Sequence, residues 1–242
     1  MGAAEGLSPG PSGQRYEHLK QCISLPSKQL VQDLLASLAT RFSAMANAEL
    51  PNRLCHYLCS GSLIPANKKD GGIRPIVLGD VMASLCSKLL LNQFHESVDL
   101  LPLVPQMAIA DRGGNFQAAV LAAQSWAENL GQNIIVKLDI RNAFNSINRG
   151  ECLRQLQRFF PELLPWSKGI LGGASPVWGG GHEIVCSTGV QQGNPLSPLL
   201  FDLGLHPVIE AVSCQGHVNH IWWHDDGLLH GDPINAAIAL AL

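Results

Sequence analysis

Residues 133–139 read Asn133-Ile134-Ile135-Val136-Lys137-Leu138-Asp139, a short stretch that is rich in β-branched side chains and ends in a carboxylate. This composition over this length predicts a buried strand. Residues 217–223 predict a second strand, and Asp225-Asp226-Gly227 predicts a turn into a returning strand over residues 228–230. If the first strand lies beside this hairpin, the chain contains an antiparallel sheet with three carboxylates at one edge.

The three carboxylates are chemically suited to a divalent cation. Asp139, Asp225 and Asp226 offer the hard oxygen ligands that Mg²⁺ prefers. Mg²⁺ binds through one or two carboxylates plus substrate phosphates, and two ions ~4 Å apart can stabilise both the attacking and the leaving oxygen of a phosphoryl displacement. Taken alone, however, an Asp-Asp-Gly turn is more often simply solvated, and an aspartate at a strand end is often a cap.

Other segments carry groups that suit a nucleotide. Lys68 and Arg74 flank a predicted hairpin turn and offer cations for a triphosphate. Gln192 offers an amide, and Gly193 offers a backbone that a flat ligand can approach closely. Phe144 could form the wall of a sugar pocket. Each feature also has an ordinary explanation, namely a charged hairpin tip, a loop before a helix and a core phenylalanine.

Apolar spacing and capping residues predict the remaining elements. The predicted helices cover residues 30–50, 80–101, 115–130, 150–160, 195–213 and the segment from residue 233 onward. Short strands are predicted at residues 63–65, 73–78 and 184–187. Asp80 is the predicted cap of the second helix. Helices and strands together indicate an α/β (α+β) fold.

The composition excludes several classes of protein. With 242 residues, 46% of them hydrophobic and 14% charged, the chain is predicted to be globular, with one large domain or two small ones. No run of ~18 apolar residues predicts a membrane-spanning helix. Residues 1–15, rich in Gly, Pro and Ser, do not resemble a secretory signal. We therefore expect an intracellular protein without a membrane partner, in either the nucleus or the cytoplasm, with seven reduced cysteines.

Four segments, taken in chain order, form a pattern of higher specificity. They are Leu63-Ile64-Pro65 with Lys68-Lys69-Asp70-Gly71-Gly72-Ile73-Arg74-Pro75-Ile76, Lys137-Leu138-Asp139-Ile140-Arg141-Asn142-Ala143-Phe144-Asn145-Ser146-Ile147, Gly189-Val190-Gln191-Gln192-Gly193-Asn194-Pro195-Leu196-Ser197-Pro198-Leu199-Leu200-Phe201 and Trp223-His224-Asp225-Asp226. This ordered set resembles a reverse transcriptase. It is most similar to the enzymes of non-LTR (LINE-type) retroelements, with group II intron and retron enzymes as more distant relatives.

The resemblance implies a right-hand polymerase fold, in which fingers adjoin a palm with an antiparallel sheet flanked by helices. It assigns residues 1–50 to an N-terminal extension with one amphipathic helix, residues 51–133 to the fingers and residues 134–242 to the palm. The chain stops sixteen residues after Asp226 (242 minus 226). We therefore expect the end of the palm and the whole thumb to be absent.

The resemblance also implies RNA-directed DNA polymerase activity, with two Mg²⁺ ions, or Mn²⁺ in their place, as cofactors. The implied partners are an RNA template, a DNA primer and a dNTP, and the oligomeric state is open. The implied catalytic residues are Asp139, Asp225 and Asp226, which bind metal together with the Ile140 carbonyl. The implied nucleotide-binding residues are Lys68 and Arg74 at the triphosphate, Phe144 against a ribose 2′-hydroxyl, and Gln192 with Gly193 at the nucleotide and template.

Trp223, His224, the expected absence of the thumb and the low positive charge leave a second interpretation open. Trp223 stands where the family usually has Tyr or Phe, and His224 stands where it has a small or aliphatic residue. The net charge is −3, which argues against a broad basic surface for nucleic acid. The chain could therefore be a catalytically inactive retroelement remnant, at most an RNA-binding module. A viral RNA polymerase is disfavoured, because Phe144 stands where a deoxynucleotide selector is expected.

Duplex binding by this chain is expected to be weak and steeply dependent on salt. Few local cations are available to neutralise phosphates, so counterion release supplies little affinity. The main predicted cluster is Arg141, Arg149, Arg154 and Arg158.

Overall fold

The computed structural model describes residues 10–67, 71–93, 105–108 and 115–242. Lys68 and the end of the helix predicted over residues 80–101 lie outside these residues. All seven cysteines carry free thiols. In the described part of the chain, no helix combines the length and the apolar character needed to cross a membrane.

The predicted elements are present, with ends shifted by a few residues. The helices are α1 (Tyr16–Ile23), α2 (Lys28–Ala46), α3 (Asn52–Leu58), α4 (Val81–Gln93), α5 (Asn115–Glu128), α6 (Ala143–Ser146), α7 (Arg149–Phe159), α8 (Leu164–Leu171), α9 (Ser197–Gln215) and α10 (Pro233–Leu240), with a 3₁₀ turn at Pro161–Leu163. The strands are β1 (Gly61–Asn67), β2 (Ile73–Gly79), β3 (Ile134–Asp139), β4 (Ser175–Gly179), β5 (His182–Cys186), β6 (Asn219–Trp223) and β7 (Asp226–Gly231).

Side-chain caps define where several helices begin. Asp80 Oδ1 accepts from the Met82 N–H at 2.8 Å ahead of α4. Asn148 Oδ1 accepts from the Glu151 N–H at 3.0 Å ahead of α7. These oxygens satisfy N–H groups that the first helical turn leaves without a partner. The predicted cap at Asp80 is confirmed.

The sheet that carries the predicted carboxylates is antiparallel, in the order β3-β7-β6. Asp139 of β3 pairs with Asp226 of β7, and Trp223 of β6 pairs with the same residue from the other side. Successive side chains of a strand alternate between the two faces of a sheet. Val136 and Leu138 of β3 pack on the core, and Lys137 and Asp139 therefore lie on the outer face. The predicted antiparallel palm sheet is confirmed.

The turn between β6 and β7 is shorter than the sequence predicted. It consists of His224 and Asp225, because pairing with β3 keeps Asp226 and Gly227 within β7. The prediction of a turn over Asp225-Asp226-Gly227 is therefore wrong. His224 accommodates the tight connection with a φ of +53°. A residue with a Cβ adopts this left-handed conformation at a cost of about 1–2 kcal/mol.

The second sheet joins two parts of the sequence. β1 and β2 form the predicted hairpin, with Gly61 opposite Gly79. β1 also pairs in parallel with β4, which pairs antiparallel with β5, so the strand order is β2-β1-β4-β5. One sheet therefore draws strands from both sides of residue 133. The division into fingers and palm at that residue remains a prediction.

The core is organised around α9. Eleven of the 19 residues of this helix are buried. α7 packs closely along it, since a Cβ on Gly204 would lie 2.6 Å from Cys152 Sγ. Leu156 of α7 and Leu200 and Leu203 of α9 are fully buried in the same cluster. Trp222 and Leu229 of the three-stranded sheet belong to the same cluster, so one face of this sheet packs on the core while Asp139 and Asp226 lie on the other.

Candidate active site

Strand pairing brings the three predicted carboxylates to one corner of the molecule. Asp139 ends β3 opposite Asp226, the first residue of β7, and Asp225 lies in the turn directly before it. A backbone hydrogen bond joins the end of β3 to the turn at the same corner, since the Ile140 N–H donates to the Asp225 carbonyl at 3.2 Å. The neighbouring strands that the sequence predicted are therefore present. The roles of these residues remain a prediction.

A cavity of about 720 Å³ opens at this corner. Seven predicted site residues line it, namely Arg74, Asp139, Ile140, Phe144, Gln192, Gly193 and Asp225. The sequence did not single out the neutral polar residues that complete the lining, Asn142, Asn145 and Ser197 among them. The cavity thus combines two carboxylates, two guanidinium groups, amides and an aromatic ring.

Asp226 lies on a different cavity. Its exposed carboxylate lies 3.8 Å from Lys137 Nζ. With Lys137, Phe116 and Trp223 it lines a largely apolar cavity of about 340 Å³. An exposed ion pair of this kind stabilises by about 0–1 kcal/mol, so it holds Asp226 in place only weakly. Lys68, the remaining predicted residue, lies outside the described ranges.

The donor set of the larger cavity fits Mg²⁺ in the way typical of phosphoryl-transfer sites. Asp139 and Asp225 share this cavity. Within residues 10–67, 71–93, 105–108 and 115–242, no three His, Cys, Asp or Glu side chains are grouped so that they could hold a metal ion by themselves. Mg²⁺ does not need such a cage, because it keeps several waters and binds one or two carboxylates plus substrate phosphates.

The loop that leads to α9 is built against β2. The Val77 N–H donates to the Gln192 carbonyl at 2.7 Å. Gly193 has a φ of +123°, and a Cβ at this position would collide with the Val77 carbonyl oxygen. Gly189, with a φ of +66°, lies equally close to the backbone of Asn145. The close approach that Gly193 permits is thus to a strand, while the residue still contributes to the cavity wall.

Phe144 is held in the cavity wall by α9. Its ring stacks on Phe201, with centroids 4.5 Å apart and an interplanar angle of 13°. The same ring makes a T-shaped contact with the His224 imidazole, with centroids 6.0 Å apart and an interplanar angle of 70°. Phe201 is 1% exposed and therefore has little freedom to move. The Phe144 ring is thus a firm part of the wall.

Sequence reasoning missed Asp202, which is the partner of His224. The Asp202 side chain is 1% exposed, and the N–H at His224 Nδ1 donates to both carboxylate oxygens at 3.0 Å. A detectable signal was a carboxylate inside the apolar run Leu199-Leu200-Phe201-Asp202-Leu203, because a buried charge requires a partner.

Burial and mutual contact shift the pKa of both groups in this pair. Burial raises the pKa of the Asp202 carboxyl despite the opposing effect of His224. Burial also disfavours the His224 imidazolium, but the hydrogen bond and the charge of Asp202 outweigh this and raise the pKa of His224. Both shifts favour retention of the proton between imidazole and carboxyl.

The predicted cluster of duplex-binding arginines is not a set of free cations. Arg149 donates to three backbone carbonyl groups at 2.7 to 3.3 Å, and burial lowers its pKa. Arg154 and Arg158 each pair with a glutamate. Arg141 lines the larger cavity. Arg149 is thus engaged within the chain, whereas the ion pairs of Arg154 and Arg158 are exposed and weak. The duplex-binding role of these arginines remains a prediction.

Solved telomerase structures share this fold. The telomerase of Candida albicans in complex with a fragment of telomeric RNA has a TM-score of 0.56 at 12% identity, over 88% of this chain and 44% of that chain. The apo telomerase of Candida tropicalis, truncated from its C-terminal domain, has a TM-score of 0.53 at 10% identity, over 76% of this chain and 46% of that chain. These similarities concern the fold alone, and they confirm the predicted polymerase architecture.

Sequence comparison reaches the family. A curated relative is the retrovirus-related Pol polyprotein from the type-1 retrotransposable element R2 of Popillia japonica, which is 27% identical over 64% of this chain and 23% of its own length. The chain thus spans less than a quarter of that relative. The family model described as reverse transcriptase (RNA-dependent DNA polymerase) matches residues 66–240, well over half of the chain. As the ordered motifs predicted, the chain belongs to the reverse transcriptase family, and its domain is of the kind found in retroelements.

Proposed function

We propose that the chain forms the nucleotide-adding centre of an RNA-directed DNA polymerase, which extends a DNA primer on an RNA template with dNTP as substrate. The observation that carries this proposal is the shared cavity of about 720 Å³, lined by Asp139, Asp225, Arg74, Phe144 and Gln192. Within the proposal, residues 51–133 act as fingers, residues 134–242 as palm, and residues 1–50 as an extension.

Asp139 and Asp225 would hold two Mg²⁺ ions, or Mn²⁺ in their place, with the Ile140 carbonyl as a further ligand. The chemistry supplied by the bound ions is stabilisation of the attacking primer 3′-oxygen and of the leaving pyrophosphate oxygen. Asp226 would support these metal ligands once its carboxylate no longer pairs with Lys137. Because that ion pair is exposed, its loss costs little.

Arg74 and Lys68 would hold the triphosphate. Arg74 lines the cavity, and a planar guanidinium matches two phosphate oxygens at once. The role of Lys68 rests on its place in the hairpin sequence, where a lysine acts as a point charge for phosphate.

Phe144, Gln192 and Gly193 would contact the rest of the nucleotide. The Phe144 ring, stacked on Phe201, would occupy the space that a ribose 2′-hydroxyl needs. The Gln192 amide can donate and accept hydrogen bonds with a base or with template. The Gln192 carbonyl accepts a hydrogen bond from the Val77 N–H, so the Gln192 side chain extends from a fixed backbone position.

A second interpretation is a catalytically inactive retroelement remnant that at most binds RNA. The observation that favours it is the position of Asp226, which lies on a different cavity from Asp139 and Asp225. If Asp226 stays with Lys137 when nucleotide binds, only two carboxylates remain for the ions. The net charge of −3 also limits the affinity for a polyanion.

Primer extension tests the proposal. The chain is supplied with a poly(A) template, an oligo(dT) primer, dTTP and Mg²⁺. If the reading frame continues downstream, a longer chain that includes the added residues is assayed in parallel. We expect extension that falls at least ~100-fold in Asp225→Ala, because loss of an outer-sphere partner of a metal ligand already costs 10–100-fold. Phe144→Ala should increase incorporation of UTP relative to dTTP.

Asp232→Asn is the matched control. Asp232 is the next carboxylate along the chain, and it caps α10 by accepting from the N–H groups of Ile234 and Asn235. Asparagine preserves such a cap, so extension should equal that of the unchanged chain. The proposal is contradicted if both chains bind RNA but neither extends the primer and neither binds dTTP in a Mg²⁺-dependent way. That result would support the inactive remnant.

A further inference from the structure

The turn that carries Asp225 is strained and must be held by its surroundings. His224 has a φ of +53°, and non-glycine residues persist in this conformation where neighbouring groups over-determine it. The neighbouring group here is Asp202, whose two carboxylate oxygens accept from His224 Nδ1 at 3.0 Å. Because Asp202 is buried, removal of either partner leaves a desolvated polar group without its partner.

Asp202 is also linked to β6, the strand that leads into the turn, through its backbone. Its backbone carbonyl accepts from Gln106 Nε2 at 2.7 Å. The segment that contains Gln106 is bonded to β6, because the Met107 N–H donates to the Trp222 carbonyl at 2.8 Å. Asp202 of α9 is thus connected to the start of the turn both through its backbone carbonyl and through its side-chain carboxylate.

Two consecutive residues of α9 support two different parts of the candidate site. Phe201 stacks on Phe144, which forms the cavity wall. Asp202 binds His224, whose ring makes a T-shaped contact with the same Phe144 ring. The proposed sugar wall and the carboxylate turn therefore share one support.

We infer that the buried Asp202–His224 pair positions the catalytic turn, setting Asp225 toward the nucleotide cavity and keeping it in register with Phe144. This inference rests on the proposed function of Asp225 and Phe144. Asp202 and His224 are positioning residues and not ligands. The hydrogen bond from the Ile140 N–H to the Asp225 carbonyl, at 3.2 Å, reports the position of the turn without any metal or substrate.

Amide hydrogen exchange of the ¹⁵N-labelled chain, followed by NMR, tests the inference. Asp202→Asn weakens the hydrogen bond by removing the charge of the acceptor, and His224→Ala removes the bond altogether. In both variants the Ile140 amide should exchange roughly tenfold faster or more. Amides in the middle of β3 should keep their protection, which separates a displaced turn from global unfolding.

His224→Gly covers the case in which those two variants fail to fold. Glycine adopts this φ without strain, so we expect the fold to be retained, but it has no side chain to anchor the turn to Asp202 and is conformationally freer. The Ile140 amide should therefore still lose protection. Ser213→Ala is the matched control, because Ser213 links α9 to β6 through His220 Nε2 at 3.0 Å, away from the turn. It should leave the Ile140 amide unchanged.

Mn²⁺ binding, followed by the EPR signal of the free ion, separates this inference from the proposed function. We expect roughly tenfold weaker binding in the pair variants and unchanged binding in Ser213→Ala. If the unchanged chain binds no Mn²⁺ while the Ile140 amide is deprotected in the pair variants, the metal chemistry is overturned and the positioning stands. Wild-type protection of the Ile140 amide in both His224→Gly and Asp202→Asn overturns the positioning, whatever the Mn²⁺ result.

Discussion

Two helices of equal length contrast sharply in this molecule. α2 and α9 both span 19 residues, yet one residue of α2 is buried and eleven residues of α9 are. Leu30 of α2 is 59% exposed, whereas Leu203 of α9 is fully buried. A helical pattern of apolar residues therefore predicts the helix without predicting its depth, and the deeper helix is the one that supports the candidate site.

The same leucine truncation in each helix should give the largest difference. Leu203→Ala removes a fully buried side chain and should lower the free energy of unfolding by about 2–5 kcal/mol. Leu30→Ala changes an exposed position and should change it by less than about 0.5 kcal/mol. Urea unfolding measures both values, and equal losses would show that α2 is covered in solution.

Met45→Ala should have an intermediate effect. Met45 is the buried residue of α2, 3% exposed, and it lines a cavity of about 480 Å³ between α2 and α8. Because this space is already partly open, we expect a loss of about 2 kcal/mol in urea unfolding, at the low end for buried methionine. A loss below that of Leu30→Ala would mean that α2 contributes nothing to the core.

The smallest effect concerns pH and belongs to α9. Burial lowers the pKa of His206, so the folded protein holds this imidazole in its neutral form. The unfolded chain binds the proton more readily, and stability is therefore lost as the pH falls below the ordinary histidine value of 6.5.

His206→Gln should make this loss shallower between about pH 7.5 and about pH 5.5, as measured by the urea midpoint. It should not abolish the loss, because burial lowers the pKa of His220 as well. α2 contains no histidine and should contribute nothing to this dependence. An unchanged pH profile in His206→Gln would show that other groups carry it.

The sequence predicted six of the seven described strands, all but β4, and singled out seven of the residues that line the larger cavity. The β-branched stretch before Asp139 and the hairpin that carries Asp226 each contain their own local signal, and the carboxylates that they carry indicated that they lie side by side. The helix cap at Asp80 is likewise local, since the capping oxygen and the N–H lie within three residues of each other.

Features that depend on contacts between distant segments escaped prediction. The parallel pairing of β1 with β4 joins residues more than a hundred positions apart. The Asp202–His224 pair depends on the depth of α9, and the engagement of Arg149 depends on carbonyl groups of other loops. The sequence prediction placed Asp226 in the turn. Its pairing with Asp139, which makes it part of β7, joins residues that lie far apart in sequence.

The loop before α9 ties two walls of the cavity together. The Val77 N–H donates to the Gln192 carbonyl at 2.7 Å, and the missing Cβ of Gly193 keeps these two backbones in contact. Two residues before Gln192, the Val190 N–H donates to the Phe144 carbonyl, also at 2.7 Å. The loop is therefore a backbone tether between the strand that carries Arg74 and the wall formed by Phe144, and a side chain introduced at Gly193 would disturb both at once.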